Sequence, residues 1–408
     1  MTAQQPHRVV VTGMGVIAAI GESVPRFEAA LFKGQCGVRP VTLFDVSAFP
    51  CQYGGQVQRK DLSYGFNRRD IKRASRCDLL GMIAAREAMA DAGLMDSGPP
   101  HDGGIILGSG AGGMRSWEAY RRAQHQGRRA APGMLLSSQP CTLTDRIGLG
   151  FGISGYRATV TTACSSSTTA IGMAYDLIRS DQAAVALTGG SESLCELTFG
   201  GFNALRVMDT RPCRPFDRER QGLSLGEGAA ILVLESYDRA VARGARIYAE
   251  ICGYAVNSDA YHITAPHPEA AGMRAVMRRA MDNAQVTPQD VDYINAHGTA
   301  TPVNDPLETK AIKNVFGETR ARELAVSSTK SMVGHCLGAA GGIEAVAAVL
   351  AVHRQKAPPT AGLARPDPAC DLNYVPGRAA EKSIRYALSN SFAFGGNNSC
   401  VVLGRVDQ

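Results

Sequence analysis

The run Ala158-Thr159-Val160-Thr161-Thr162-Ala163-Cys164-Ser165-Ser166-Ser167 passes from β-branched residues into small polar ones. Ala158–Thr162 reads as a short strand. Downstream, Ala170, Ile171, Ala174, Leu177 and Ile178 recur at the spacing of one helical face. A strand entering a helix through a tight turn is the repeating unit of an α/β protein, and Cys164 sits in that turn.

The same alternation extends in both directions. Strands are expected at Val9–Thr12, Gly104–Leu107, Ala184–Thr188 and Ala229–Leu234, and again at Ala249–Gly253, Asp292–Asn295, Leu324–Ser327, Tyr386–Ser389 and Cys400–Leu403. Asp78–Ala92 reads as an amphipathic helix closed by Gly93. The two sets form one pattern used twice. A helix ending near Gly93 precedes Gly104–Leu107 and the turn Gly108-Ser109-Gly110. The helix Met273–Ala284 precedes Asp292–Asn295 and the turn Ala296-His297-Gly298-Thr299. Ala158–Thr162 then leads through Cys164 into its helix, and Leu324–Ser327 through His335 into a helix bearing Ile343, Val346, Ala347 and Leu350. Two α/β halves, 1–247 and 248–408, follow from this, with a site expected where equivalent turns meet.

Composition narrows the class. With 408 residues, 45% hydrophobic and 20% charged, the chain can bury one large or two medium cores. A net charge of +6 is too mild for a dedicated nucleic-acid binder but permits an acidic partner. The eleven cysteines show no metal-ligand spacing, so a metal site is not expected, and ten of them read as small buried hydrophobes. Val9–Ile20 mimics a signal h-region, but Thr12, Gly13 and Gly15 fit a strand followed by a turn better. No apolar stretch approaches the ~20 residues of a membrane span. A soluble cytoplasmic protein is expected, and neither a P-loop nor a convincing dinucleotide fingerprint is present.

Cys164 is a candidate nucleophile, because a helix N-terminus is expected to stabilise a thiolate and lower its pKa. The same N–H groups can bind an oxyanion, and Ser165, Ser166 and Ser167 offer capping oxygens. A lone cysteine in such a turn is more often structural. His297 and His335, both in Gly-flanked turns after short strands, change that balance.

The motifs Thr162-Ala163-Cys164-Ser165-Ser166, His297-Gly298-Thr299-Ala300-Thr301-Pro302-Val303-Asn304-Asp305, Lys330-Ser331-Met332-Val333-Gly334-His335 and Asn390-Ser391-Phe392-Ala393-Phe394-Gly395-Gly396 resemble, in order, the β-ketoacyl-[acyl-carrier-protein] synthases, especially the type II elongating enzymes. Arg214-Pro215-Phe216-Asp217 and Gly226-Glu227-Gly228-Ala229 extend the resemblance over essentially the whole chain. It implies a thiolase-like five-layered α/β/α/β/α fold and a Cys164-His297-His335 triad. It implies decarboxylative Claisen condensation of a Cys-bound acyl chain with malonyl on an acyl carrier protein. On that resemblance, Cys164 and Phe394 N–H groups hold the oxyanion, Phe394 is a gate, and Lys330 supports the site. Glu344 is structural, and Thr299 and Thr301 contact the phosphopantetheine arm that carries the substrates; no other cofactor is implied. Ala111, Phe202 and Met134 bound the acyl pocket. Arg68, Arg69, Lys72, Arg73 and Arg76, with Arg128 and Arg129, form a basic docking surface for the acidic carrier protein.

The chain departs from the type II pattern at Ala393, where Gly is usual in the gate loop, at Asn397, at Gln221-Gly222-Leu223 and at Ala111, where a bulkier residue is common. A roomier acyl pocket and altered gating are therefore expected, as in a specialised fatty-acid or polyketide pathway. A thiolase would carry a second cysteine in a Cys-x-Gly context near its C-terminus, and a type III synthase would pair the cysteine with one His and one Asn. A homodimer is the family expectation, with a heterodimer containing a chain-length-factor-like chain as the alternative.

Overall fold

The computed structural model describes residues 7–95 and 101–406. The first half supplies strands β1 (Val9–Ala18), β2 (Gly104–Gly108), β3 (Arg157–Val160), β4 (Val185–Glu192) and β5 (Gly228–Ser236). The second supplies β6 (Ala249–Ser258), β7 (Val291–Asn295), β8 (Ala325–Ser327), β9 (Tyr386–Phe392) and β10 (Asn397–Gly404). Side by side they run β3-β2-β4-β5-β1 in one half and β8-β7-β9-β10-β6 in the other. Counted from the start of each half, both orders are 3-2-4-5-1. In both, the second strand is parallel to the third and fourth, and the fifth is antiparallel to the fourth and first. The halves join where Val9–Val11 pairs antiparallel with Ala249–Ile251.

Four long helices complete the layers. α1 (Arg76–Asp91) covers the outer face of the first sheet half, and α3 (Ala271–Ala284) that of the second. α2 (Ser166–Arg179) and α4 (Ala340–Arg354) pack against each other between the two halves. Every residue of α4 from Ala340 to Val352 is buried, as a helix apolar on all sides must be. The segment Leu337–Arg354 is long and apolar enough to cross a membrane, but 89% of it is buried inside the protein.

Two local expectations change. β1 does not turn at Gly13 but continues to Ala18 through a bulge between Val11 and Gly13. Its glycines serve close packing: a β-carbon on Gly15 would lie 1.9 Å from the Ala84 carbonyl oxygen of α1. α1 starts at Arg76 rather than Asp78, because Ser75 and Asp78 form a capping box. The Ser75 Oγ accepts from the Asp78 N–H, and the Asp78 carboxylate accepts from the Ser75 N–H.

Candidate active site

Beyond β3 the chain makes a 3₁₀ turn, Ala163–Ser165, that runs directly into α2. Ala163 holds a left-handed conformation, φ 53°, which costs a non-glycine residue about 1 kcal/mol. The three serines do not cap α2 as expected. Ser165 Oγ donates to the Thr162 carbonyl (2.8 Å); Ser166 Oγ accepts from the Thr162 N–H (2.9 Å) and donates to the Ala163 carbonyl (2.6 Å). Ser165 and Ser166 brace the elbow that presents Cys164, while Ser167 Oγ donates to the Gly338 carbonyl. The backbone N–H groups of Phe394 and of Cys164 itself favour the thiolate form of the sulphur.

The expected lowering of the Cys164 pKa does not occur. Burial pushes the thiol up to about 11, against the opposing pull of the Lys330 charge and the Phe394 N–H. Loss of water around a thiolate outweighs the turn's dipoles.

His297 follows β7. Glu308, inside the helix Asn304–Phe316, reaches back to accept from the His297 and Gly298 N–H groups, both at 2.8 Å. His335 follows the short helix Lys330–Val333 and Gly334, whose φ is 73°. The two imidazoles meet edge to face, centroids 5.4 Å apart. Burial, then the charge of Lys330, pushes both histidines well below the usual range, so both are neutral at physiological pH. Their hydrogen bonds fix the tautomers. Lys330 Nζ lies 3.2 Å from His297 Nδ1, and an ammonium only donates. The Leu337 N–H donates to His335 Nδ1 at 3.2 Å. Each ring thus carries its proton on Nε2.

Lys330 is 1% exposed, so it is no solvated surface lysine. Its ammonium also donates to the His297 carbonyl (2.6 Å) and pairs with Glu344. Burial pushes the Glu344 carboxyl up to about 7, opposed by Lys330.

Cys164, His297 and His335 line one cavity of about 430 Å³ together with Thr299, Thr301, Phe202 and Phe394. The Thr299 and Thr301 hydroxyls are 3.0 Å apart. The Phe394 ring stacks on Phe202, centroids 5.8 Å apart and planes 11° apart, so the two aromatics act together at the cavity wall. Gln221 and Leu223 also line it. Ala111 and Met134 do not: Ala111 sits in a turn tied to Glu192, and Met134 is 36% exposed. Arg68, Lys72, Arg73, Arg128 and Arg129 are exposed and make no ion pair among the described residues; the Arg69 side chain lies outside the described residues. Arg76 departs from the expected patch. Its guanidinium forks onto buried Glu227 at 2.9 and 2.6 Å.

Sequence reasoning gave no role to the buried carboxylates that shape these turns, although Glu227 and Asp305 stand inside the motifs that carry the resemblance. Glu192, Glu227, Asp305 and Glu308 are fully buried and accept backbone N–H groups from distant loops. For Glu192 and Glu308 the sequence signal was an acidic residue inside an otherwise apolar or Gly-rich run. The repeat also falls in a different register than expected. The residue matching Cys164 in the second half is Gly338: Leu337, φ 46°, mirrors Ala163, and the 3₁₀ turn Leu337–Ala339 leads into α4 as Ala163–Ser165 leads into α2.

A thiol on a strained elbow between the two halves of a duplicated 3-2-4-5-1 sheet, faced by two neutral imidazole donors, defines a thiolase-like acyl-transferring enzyme. Comparison narrows the class. Residues 7–240 match the family model "Beta-ketoacyl synthase, N-terminal domain" and residues 248–364 match "Beta-ketoacyl synthase, C-terminal domain". The chain is 41% identical to 3-oxoacyl-[acyl-carrier-protein] synthase 2 of Staphylococcus aureus (strain COL), covering 99% of each. Among solved structures it resembles the ishigamide ketosynthase/chain length factor, with TM-score 0.94, 35% identity, and 98% and 100% of the two chains covered. It also resembles a structure described as a type II polyketide acyl carrier protein in complex with its ketosynthase, AntDE:AntF, with TM-score 0.89, 33% identity and the same coverage. The chain belongs to the β-ketoacyl synthase family.

Proposed function

We propose that Cys164 takes an acyl group from an acyl-carrier-protein thioester and that His297 and His335 drive its condensation with malonyl-carrier protein. The observation that carries this reading is the pair of Nε2–H donors beside the buried thiol. In the first half-reaction the thiol sulphur attacks the acyl thioester carbonyl, its proton leaves with the carrier thiol, and the Cys164 and Phe394 N–H groups stabilise the oxyanion. In the second, malonyl thioester loses carbon dioxide, and charge develops on the thioester oxygen. Two neutral imidazole donors stabilise that enolate without giving up a proton. The enolate carbon attacks the acyl-cysteine, the carbon–sulphur bond breaks, and 3-oxoacyl thioester and thiolate result. Lys330 and Glu344 keep His297 in its donor tautomer. Thr299 and Thr301 support the phosphopantetheine arm, and Phe202 and Phe394 bound the acyl group.

The chain is proposed to divide near residue 247, where the second copy of the strand order begins. Exposed Arg68, Lys72, Arg73, Arg128 and Arg129 are proposed to receive the acidic carrier protein. A second chain is proposed to cover β3, which is the edge of its sheet half, with exposed Met134, Leu135, Leu136 and Leu149 nearby in sequence; Met134 and the Ala111 turn then bound the acyl pocket only in the pair. Both a second copy and a chain-length-factor-like chain remain candidates for that place, since similar structures include such a pairing.

The test is intact-mass analysis after incubation with acyl-carrier-protein thioesters of graded length. One acyl adduct is expected on the parent and none on Cys164→Ala. Absence of an adduct with every donor overturns the reading.

A further inference from the structure

Glu192 lies at the C-terminal end of β4, wholly buried, and no Lys or Arg pairs with it among the described residues. Its carboxylate is solvated by backbone N–H groups alone. Gly110 donates at 2.7 Å, Ala111 at 3.1 Å and Gly112 at 3.0 Å, all from the turn after β2. The fourth donor is the Gly338 N–H at 3.1 Å, in the turn that follows His335. Gly338 admits nothing larger: a β-carbon there would lie 2.2 Å from the Gly110 nitrogen and 2.8 Å from the Glu192 carboxylate. The Gly338 carbonyl accepts from Ser167 Oγ, at the start of the nucleophile's own helix. The peptides either side of Gly338 are thus held from two sides.

That grip bears on His335 through one residue. Leu337 has φ 46°, a conformation that a leucine keeps only when its surroundings impose it. The Leu337 N–H donates to His335 Nδ1, which leaves the ring proton on Nε2. If the Gly338 N–H is released, the strained Leu337 is expected to relax and shift the turn, carrying the N–H that Nδ1 accepts out of place. The duplication makes the arrangement intelligible. Gly338 holds the place in the second half that Cys164 holds in the first, so its N–H occupies the position of an oxyanion donor, and the anion resident there is Glu192.

We propose that Glu192 is a positioning residue that, through Gly338 and the left-handed Leu337, holds His335 as the Nε2–H donor required for malonyl decarboxylation. The inference rests on the role given to His335 above. It acts on one half-reaction more than the other, because Cys164 acylation uses N–H groups outside this chain of contacts.

The test compares parent, Glu192→Gln, Ser167→Ala and His335→Ala. Selective ¹⁵N-histidine labelling reads the His335 tautomer, release of carbon dioxide from malonyl-pantetheine reads decarboxylation, and intact mass reads acylation. For Glu192→Gln we expect a mixture of His335 tautomers, at least a tenfold fall in the kcat of decarboxylation with KM within twofold, and acylation slowed less than threefold. Ser167→Ala loosens the same segment from the other side, survives if Glu192→Gln does not fold, and should show the same effects at about threefold. An unchanged tautomer with decarboxylation within twofold in these variants overturns the inference, as does an equal fall in both half-reactions. Undiminished decarboxylation in His335→Ala overturns instead the role assigned to His335, while the tautomer reading still judges Glu192.

Discussion

At Cys164 the sequence shows the nucleophile but not its resting state. The residue type, the elbow and the paired histidines were all legible, because they lie in short motifs. The direction of the pKa shift was not, since burial is a property of the closed cavity. With the thiol pushed up to about 11, the thiolate fraction at pH 8 is about one in a thousand. Alkylation of Cys164 by iodoacetamide should therefore climb about tenfold per pH unit from 7 to 10; a plateau near pH 8 counts against this. The histidines titrate with the opposite sign. Their folded values lie well below 6.5, so the neutral donors are present above that value and are lost only in stronger acid. Histidine protonation should therefore take nothing from malonyl decarboxylation between pH 6.5 and 8, and an inflection near 7 would belong to the buried Glu344 and Glu192 carboxyls, both raised to about 7 by burial. The Lys330–Glu344 pair yields a third outcome. Lys330→Met removes one partner of a buried ion pair, which costs about 3–5 kcal/mol. Glu344, already raised by burial, then rises further, so the folded state takes up a proton that the unfolded state does not hold above its ordinary 4.5. Stability falls as pH rises through that window. Urea unfolding of Lys330→Met should show a larger deficit at pH 8 than at pH 6. The buried carboxylates Glu192 and Glu308 stayed illegible for a physical reason: their partners are backbone N–H groups, which every residue carries and no sequence pattern marks.

At the scale of elements, propensity and periodicity located all ten strands of the sheet but misplaced ends governed by local hydrogen bonds. Ser75-Arg76-Cys77-Asp78 is a capping-box spelling, and reading α1 from Asp78 overlooked it. Ser75→Ala should cost about 1 kcal/mol in denaturant unfolding, the usual worth of an N-cap. β1 was cut short for a related reason. Its glycines look like a turn in sequence, yet they exist because α1 packs against the strand backbone, a fact of tertiary structure. The gate loop gives a further contrast. Ala393 was expected to restrict the loop, but its φ of −101° and ψ of 158° are extended values that any residue adopts. The left-handed positions are Gly395 and Gly396, at 80° and 73°. In this conformation the β-carbon of Ala393 costs nothing.

At the scale of the molecule, duplication was visible as a rhythm of strands and turns. The shared order 3-2-4-5-1 was not, because strand neighbours are chosen by three-dimensional closure. Nor was the equivalence of Cys164 with Gly338, since function has erased the identity of the residues at those turns. The surface charge supports the last prediction. Helix residues Arg68, Lys72 and Arg73 and loop residues Arg128 and Arg129 expose cations that neutralise no carboxylate among the described residues. Charges left unpaired on a protein of modest net charge attract an acidic partner over about a Debye length, roughly 8 Å at physiological ionic strength and about 3 Å at 1 M. Such attraction acts on the encounter of whole proteins and leaves chemistry inside the cavity untouched. The KM for an acyl-carrier-protein donor should thus rise at least tenfold between 50 mM and 500 mM salt, and by a similar factor in Lys72→Glu/Arg128→Glu at low salt. The KM for the same acyl group on free pantetheine should change less than twofold in both tests. A salt-independent KM for the carrier-bound donor would remove these residues from the docking surface.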